Sequence, residues 1–378
     1  MTLSDDVLAT LIPSTYQTLI HSKGSDFVEK IGDEVVRGVL LNVLSGGNLR
    51  DATEMVTRRR LSLLNAATLA MFISGVSKDP DFASKLPNIA SERLKTRVKK
   101  DEKWLLEWVL GLTDKAFQNV LRDDPTKIDA YRNDFIRELA RAAQQCETDY
   151  GQLEGHIKID DKTAALDWRL VIQLLTTVGA QTLAIRGSEK STYGKLFEPL
   201  VLGSALTLLG FRQVKIGEVE DINNVFWLSE RSKREADATA ICGAGKGIRF
   251  DIGFIGRGNP EITLDKVSRY EREIEIGRQH YYMATFILVD RIGKESKIVE
   301  RATDIGGTVI QMSMSYWPRV LAQEMKRQVG YESPIAKMTD SQIKDDIGDF
   351  VHKISYESFL RNEASKRTRS KQGALPER

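Results

Sequence analysis

The residues whose types and spacing could do chemistry crowd into one stretch, IRFDIGFIGRGNPEITLDKVSRYERE, residues 248 to 273. It opens with the alternation of a β-strand, turns through glycines and an Asn-Pro pair, and continues as a charged helix, with Asp251, Glu261, Asp265 and Lys266 near the junctions. Just upstream, ADATAICGAGKGIRFDIGFIG reads as a β-hairpin closed by the glycine-rich GAGKG. Counting back from that turn places Asp237 almost opposite Asp251, and the turn at GRGNP brings Glu261 back toward Asp251. Three carboxylates at one end of a small sheet repel one another, and without a compensating cation at least one takes up a proton. A divalent metal resolves the conflict, because Mg²⁺ prefers a few carboxylate oxygens plus water and a substrate phosphate. Asp237, Asp251 and Glu261 are therefore candidate metal ligands, and Glu198 in TYGKLFEPLVLG, on the preceding helix, is a further one. Lys266, at the start of the following helix, has the charge to orient a water or stabilise a transferring phosphoryl group. Together these residues amount to phosphodiester hydrolysis.

Each residue also has a plainer use. Asp251 in an apolar strand can serve as a hydrogen-bond acceptor, Asp265 as an acid facing a helix dipole, and Lys266 as a solvated helix residue. The clustering on two successive turns favours a site. CGAGKG does not make a phosphate-binding loop, since position 240 is alanine and Gly247 stands where a Ser or Thr must bind the metal. His21, His156, His280 and His352 are scattered, and Cys146 and Cys242 lie far apart, so neither metal-ligand spacing nor a disulfide framework is suggested.

The elements that must position the cluster follow from periodicity. Residues 1–150 return apolar residues every three or four positions in segment after segment and form an all-α N-terminal domain with a DNA-binding or dimerisation role. Residues 147–164 are polar and read as a linker or surface crossing. A helix at about 165–184 is followed by IRGSEKSTYGK and a second helix at about 192–209. Strands are expected at FRQVKIGEV, NVFWLS, ADATAIC, IRFDIGFIG, MATFILVDRI and TVIQMSM, with helices at about 264–279, at SKIVERATDI and at WPRVLAQEMKRQV. That order describes an α/β domain over 165–360, a mixed sheet flanked by helices. Residues 362–378 read as a disordered basic tail.

Of 378 residues, 55 are basic and 53 acidic, leaving a net charge of only +2. No global field pulls the chain to nucleic acid or an anionic surface, so such a partner must be met by local patches. Arg58, Arg59 and Arg60 in TRRRLS, the run SERLKTRVKKDEKW (91–104), and Arg231, Lys233 and Arg234 immediately before Asp237 are the candidates for contact with DNA. Two cysteines and no export segment point to the cytoplasm. The apolar run LSLLNAATLAMFISGV (61–76) is shorter than the roughly 18 residues of a span and contains Asn65, so it reads as a buried helix and no membrane is expected.

The order helix with Glu198, hairpin with Asp237 and Asp251, Glu261 segment, helix, then MATFILVD resembles the PD-(D/E)XK nuclease core of type II restriction endonucleases. More closely, GSEKSTYGKLFEPLVLG, READATAI and DIGFIGRGNPEITLDKVSRYERE resemble the CfrBI type of restriction enzyme. The resemblance implies a restriction-endonuclease-like fold and Mg²⁺-dependent cleavage of a double-stranded palindrome, 5′-CCWWGG for the CfrBI type, with a matching DNA methyltransferase protecting the host. A homodimer is expected, since cutting both strands of a palindrome needs two related sites. The pattern departs from the usual one: the places two residues after the acids hold Gly253 and Thr263, not lysine. Two assignments stay open, Asp251 with Glu261 or Asp237 with Asp251, each with a displaced Lys266. The first is preferred because Glu261 and Lys266 otherwise lack a reason to flank the turn. A repair nuclease of the same fold and a non-catalytic DNA-binding module are the alternative readings.

Overall fold

The computed structural model describes residues 18–20, 24–121, 124, 126–215, 223–229, 236–243, 246–254, 282–290 and 306–360. Among the described residues the helical stretch 18–20 is followed by α1 (Gly24–Ile31), α2 (Asp33–Leu44), α3 (Leu49–Ala52) and α4 (Glu54–Lys78). They are followed by α5 (Phe82–Leu94), α6 (Lys100–Val109), α7 (Asp114–Leu121) and α8 (Lys127–Tyr150), then the hairpin of β1 (Gly155–Ile159) and β2 (Lys162–Leu166), then α9 (Trp168–Leu208). Strands β3 (Arg212–Gln213), β4 (Val225–Leu228), β5 (Ala238–Gly243), β6 (Lys246–Gly253), β7 (Tyr282–Val289) and β8 (Gly307–Gln311) follow, and α10 (Trp317–Val329) and α11 (Asp340–Lys353) end the described chain. The chain divides into two units, Met1–Lys23 with Thr57–Glu189, and Gly24–Val56 with Lys190–Arg378.

In the first unit the apolar run at 61–76 is a core helix, as expected. Leu64, Met71, Phe72 and Ile73 of α4 are buried, and the Phe72 ring meets Phe82 edge-on at 6.3 Å. Gly75 is required there, because a Cβ would stand 2.3 Å from the Phe82 ring. Thr68 donates to Gln181 (2.9 Å), Gln181 donates to Asn65 (2.7 Å), and Gln173 donates to the Val109 carbonyl (2.8 Å), so α9 turns a polar stripe inward. The expected linker is the end of α8 plus the β1–β2 hairpin, whose two-residue turn uses Asp160 at φ 53°.

The second unit is built on a six-stranded mixed sheet in the order β3-β4-β5-β6-β7-β8. Strand β3 runs parallel to β4, the β4–β5 and β5–β6 pairs are antiparallel, and β6, β7 and β8 run parallel. Residues 24–56 group with this sheet, not with the other N-terminal helices as the sequence suggested, and three anchors explain why. Arg37 donates to the carbonyls of Val351, His352 and Ile354 at the end of α11 and pairs with Asp33 at 2.6 Å, while its guanidinium lies 5.1 Å from the Tyr356 ring centre. Tyr356 in turn donates to Asp33; burial raises that carboxyl's pKa, but the hydrogen bonds from Tyr356 and Arg37 outweigh it and hold the group below the usual range. The fully buried Trp317 donates its indole N–H to the Val43 carbonyl at 2.8 Å.

Three expectations change. The helices at 165–184 and 192–209 are one 41-residue helix, α9, running through Gly187, Gly194 and Pro199. The apolar period continues across the glycines, with Ile185, Tyr193, Leu196, Phe197 and Leu200 all buried, and that burial outweighs the propensity loss. Within FRQVKIGEV only Arg212–Gln213 forms a described strand. Helix α11 was not anticipated, although Thr339 and Gln342 form a capping box that the sequence spells. The helices expected at 264–279 and 296–305 and the tail at 362–378 lie outside the described residues.

One buried charge makes a measurable signature. Glu107 on α6 is fully buried, and among the described residues its ionic partner is Lys103 at 3.3 Å, which also serves Asp114 at 2.7 Å. A cation divided between two acids does not offset the desolvation, and burial pushes the Glu107 carboxyl from 4.5 up to about 7. A raised acid pKa means the folded state holds its proton longer than the unfolded one, so the penalty is absent below about pH 4.5, grows through the interval and is complete above about pH 7. Glu107→Gln should therefore gain stability over the wild type on going from pH 5 to pH 8, by ~2 kcal/mol at order of magnitude. Thermal denaturation at both pH values measures it, and an unchanged difference would remove the assignment.

Candidate functional site

The β5–β6 hairpin sets the site. Its register pairs Ala238 with Phe250 and Thr239 with Arg249, so the residue before β5, Asp237, falls beside Asp251 as counted from the turn. The Asp237 side chain accepts from the Ile252 N–H at 3.0 Å, and its own carbonyl accepts from the Ser229 N–H at 3.0 Å. The first bond holds the Asp237 carboxylate against the end of β6, and the second ties its backbone to the residue that follows β4. Asp251 is 9% exposed and Asp237 is half-buried, so the two are drawn toward the interior without being sealed from solvent.

Strand alternation puts this pair on the face opposite the main aromatic layer, where Asp251 pairs across to Ile287, itself 1% exposed. One face of the sheet carries Phe226, Ala238, Ala240, Ile248, Phe250, Ile252, Ala284, Phe286, Leu288 and Ile310, each at most 4% exposed, with the Phe250 and Phe286 rings stacked at 5.8 Å. The other face carries Asp251 and, across four strands, the row Trp227, Thr239, Arg249, Thr285. Sequence reasoning sought a cation two residues after the acid and passed over Arg249, which lies two residues before Asp251 on the same face. It also passed over Asp290. This residue directly follows β7 and is 5% exposed, its N–H bonded to the Gly253 carbonyl at 3.3 Å and its carbonyl accepting from the Ser313 N–H at 2.9 Å, at the carboxyl edge where parallel strands present ligand sites. The signal for it was legible, a lone acid closing the apolar run FILV.

The remaining candidates divide. Glu198 sits half-buried on the second part of α9, and among the described residues no three His, Cys, Asp or Glu side chains gather closely enough to hold a metal together. The described donor set is thus Asp237 with Asp251, and two carboxylates with water and phosphate oxygens suit Mg²⁺. Glu261, Lys266, Arg231, Lys233 and Arg234 lie outside the described residues.

Comparison with known proteins decides what kind of enzyme this is. The chain matches the CfrBI restriction endonuclease family over residues 33–297. It is also 36% identical over 357 residues to the type II restriction enzyme CfrBI of Citrobacter freundii, covering 92% of this chain and 97% of that protein. The chain belongs to the CfrBI restriction endonuclease family. No solved structure matches. Membership makes this CfrBI-family chain a type II, site-specific deoxyribonuclease, and sets aside the readings as a repair nuclease or a non-catalytic module.

For DNA contact by this CfrBI-family enzyme, the arginine run must be corrected. Arg58 and Arg59 are exposed, but Arg60 is fully buried and donates to the Leu19 carbonyl at 2.7 Å and the Ile20 carbonyl at 2.9 Å. Its guanidinium is part of the protein interior and does not face a phosphate. Much of the run at 91–104 is likewise engaged, with Arg93 on Glu102, Lys95 on Glu92 and Asp129, and Lys103 on Asp114, each at 2.7 to 2.8 Å. Arg60→Met should cost ~2 kcal/mol or more in denaturation, since two buried carbonyls lose their donor. Replacing Arg58 and Arg59 together by alanine should shift stability by less than about 0.5 kcal/mol while flattening the salt dependence of DNA binding. Equal stability losses in the two variants would contradict the division.

Proposed function

We propose that the chain cleaves double-stranded DNA with Mg²⁺ through a PD-(D/E)XK site in which Asp237 and Asp251 are the paired acids. The observation that carries this reading is the hairpin register, which sets Asp237 beside Asp251 and fixes it with the Ile252 N–H. Of the two pairings the sequence left open, this geometry favours Asp237 with Asp251. Glu261 and Glu198 are the acids that would complete the set.

When bound, Mg²⁺ supplies a Lewis acid and lowers the pKa of a coordinated water. The chain's own part is to hold two carboxylates at a fixed spacing on a rigid hairpin, and to place a cation near the phosphate. Lys266 is the proposed cation from the segment after β6. Arg249 is a second candidate, because it shares the face of Asp251. With Asp251 buried and Asp237 half-buried, the carboxylates are not fully hydrated, which strengthens their hold on a cation.

The relative's recognition class suggests 5′-CCWWGG as the sequence to test first. The cleavage of two strands at a palindrome calls for a homodimer, and a host carrying this enzyme in its cytoplasm needs a DNA methyltransferase of the same specificity as its genetic partner. Arg58, Arg59, Arg231, Lys233 and Arg234 are the proposed phosphate and base contacts.

Plasmid digestion tests the reading. With Mg²⁺ the wild type should give discrete fragments, and with EDTA none. Fragment lengths matching CCWWGG positions would establish the site. Asp251→Asn and Asp237→Asn should each slow cleavage by about a hundredfold or more, on the order of 3 kcal/mol of transition-state stabilisation, at unchanged melting temperature. Cleavage by Asp237→Asn at the wild-type rate would return the pairing to Asp251 with Glu261.

A further inference from the structure

The sheet register places more than the two acids in one row. The Ser229 N–H donates to the Asp237 carbonyl at 3.0 Å, one step beyond the pairing of Leu228 with Ala238, so Ser229 continues the β4–β5 ladder and stands opposite Asp237. Asp237 in turn stands opposite Asp251, one step beyond the pairing of Ala238 with Phe250. Ser229, Asp237 and Asp251 thus form one row on a single face of the sheet. Directly opposed residues have Cβ atoms only about 5 Å apart, which puts the Ser229 side chain beside whatever the Asp237 carboxylate holds.

Packing does not account for this hydroxyl. Ser229 is 7% exposed, and its Oγ is buried with no hydrogen-bond partner among the described residues. A buried hydroxyl left without a partner lowers stability, and nearly all such groups in folded proteins have one. Where only volume is needed the same strands use alanine, as at Ala238 and Ala240 on the opposite face. Thr285 offers a comparison. It is 1% exposed, and its Oγ1 is also buried without a partner among the described residues, but it stands in the next row, opposite Arg249 and two residues along the strand from the acids, ~7 Å away. Of these two hydroxyls, Ser229 is the one in line with the carboxylates.

We propose that Ser229 is a positioning residue of the metal site, its hydroxyl accepting a hydrogen bond from the water shell of the Mg²⁺ ion that Asp237 and Asp251 hold. The inference rests on the pairing of those two acids under the proposed function and adds a residue to it. Mg²⁺ gives up its waters reluctantly, so two carboxylates leave several waters on the ion, and each is oriented by the acceptor it meets. A serine oxygen has two lone pairs for that purpose. Ca²⁺ takes more of its oxygens directly from the protein and depends less on retained water, so the contribution of Ser229 distinguishes the two ions.

Ion binding by the full chain without DNA tests it. Uptake of Mn²⁺, read from the loss of the free ion's electron paramagnetic resonance signal, gives one affinity, and competition against it gives those of Mg²⁺ and Ca²⁺. Ser229→Ala and the equally sized Ser229→Cys should each weaken Mg²⁺ by about tenfold and Ca²⁺ by less than about twofold, while Thr285→Val changes neither. In EDTA, Ser229→Ala should melt no lower than the wild type, because the substitution removes a buried hydroxyl that has no partner; a serine that only held the strand end would lower the melting temperature. Unchanged Mg²⁺ affinity in Ser229→Ala or in Ser229→Cys, equal losses for the two ions, an equal loss in Thr285→Val, or a lower melting temperature in EDTA overturns the assignment and leaves the acid pair standing. Wild-type ion binding by both Asp237→Asn and Asp251→Asn overturns the pair and the role of Ser229 with it.

Discussion

The pairing of β5 with β6 is the constraint on which the rest depends. In a strand the side chains alternate faces, so a slip of one residue would carry Asp251 into the layer of Phe250 and Ile252 and expose both of those instead. The register is held by the burial of Ala238, Ala240, Ile248, Phe250 and Ile252 on one face, and by parallel pairing of β6 along its whole length with β7. The Ile252 N–H to Asp237 bond then ties the acid before one strand to the end of the other. Geometry that serves chemistry is thus a by-product of forces that serve packing.

Much of this was legible beforehand because it is local. The hairpin could be counted from GAGKG, and WPRVLAQEMKRQV announced its helix by its apolar period, found as α10 with Trp317, Leu321 and Met325 buried. What escaped is what depends on partners distant in sequence. Arg60 looks like its two neighbours in TRRRLS until Leu19 and Ile20, some forty residues earlier, present their carbonyls to it. Asp290 gains meaning only from the parallel neighbour that brings Gly253 alongside. The continuity of α9 was hidden by Gly187, Gly194 and Pro199, which weaken a helix locally but are outweighed by the burial around them.

The grouping of residues 24–56 with the sheet is another case of distant partners. Arg37 can satisfy carbonyls at the end of α11 only because Asp33, one turn away, shares its charge and Tyr356 lies beneath its plane. A close turn supports the same contact: a side chain at Gly46, φ +100°, would collide with the Met314 backbone at 2.4 Å. Sequence position along the chain and membership in a folding unit are separate matters here, because long-range hydrogen bonds and not chain proximity decide which surface a helix covers.

The two faces of the central sheet carry different obligations. Residues such as Phe250 and Phe286 answer to shape, and a change in one is felt by every neighbour in a close-packed layer. Trp227, Thr239 and Arg249 stand on the opposite side of the same strands, where half-buried side chains answer to what approaches from outside. The layer of phenylalanine, isoleucine and alanine therefore decides whether the sheet forms, and the face of Asp251 and Arg249 decides what the formed sheet can hold.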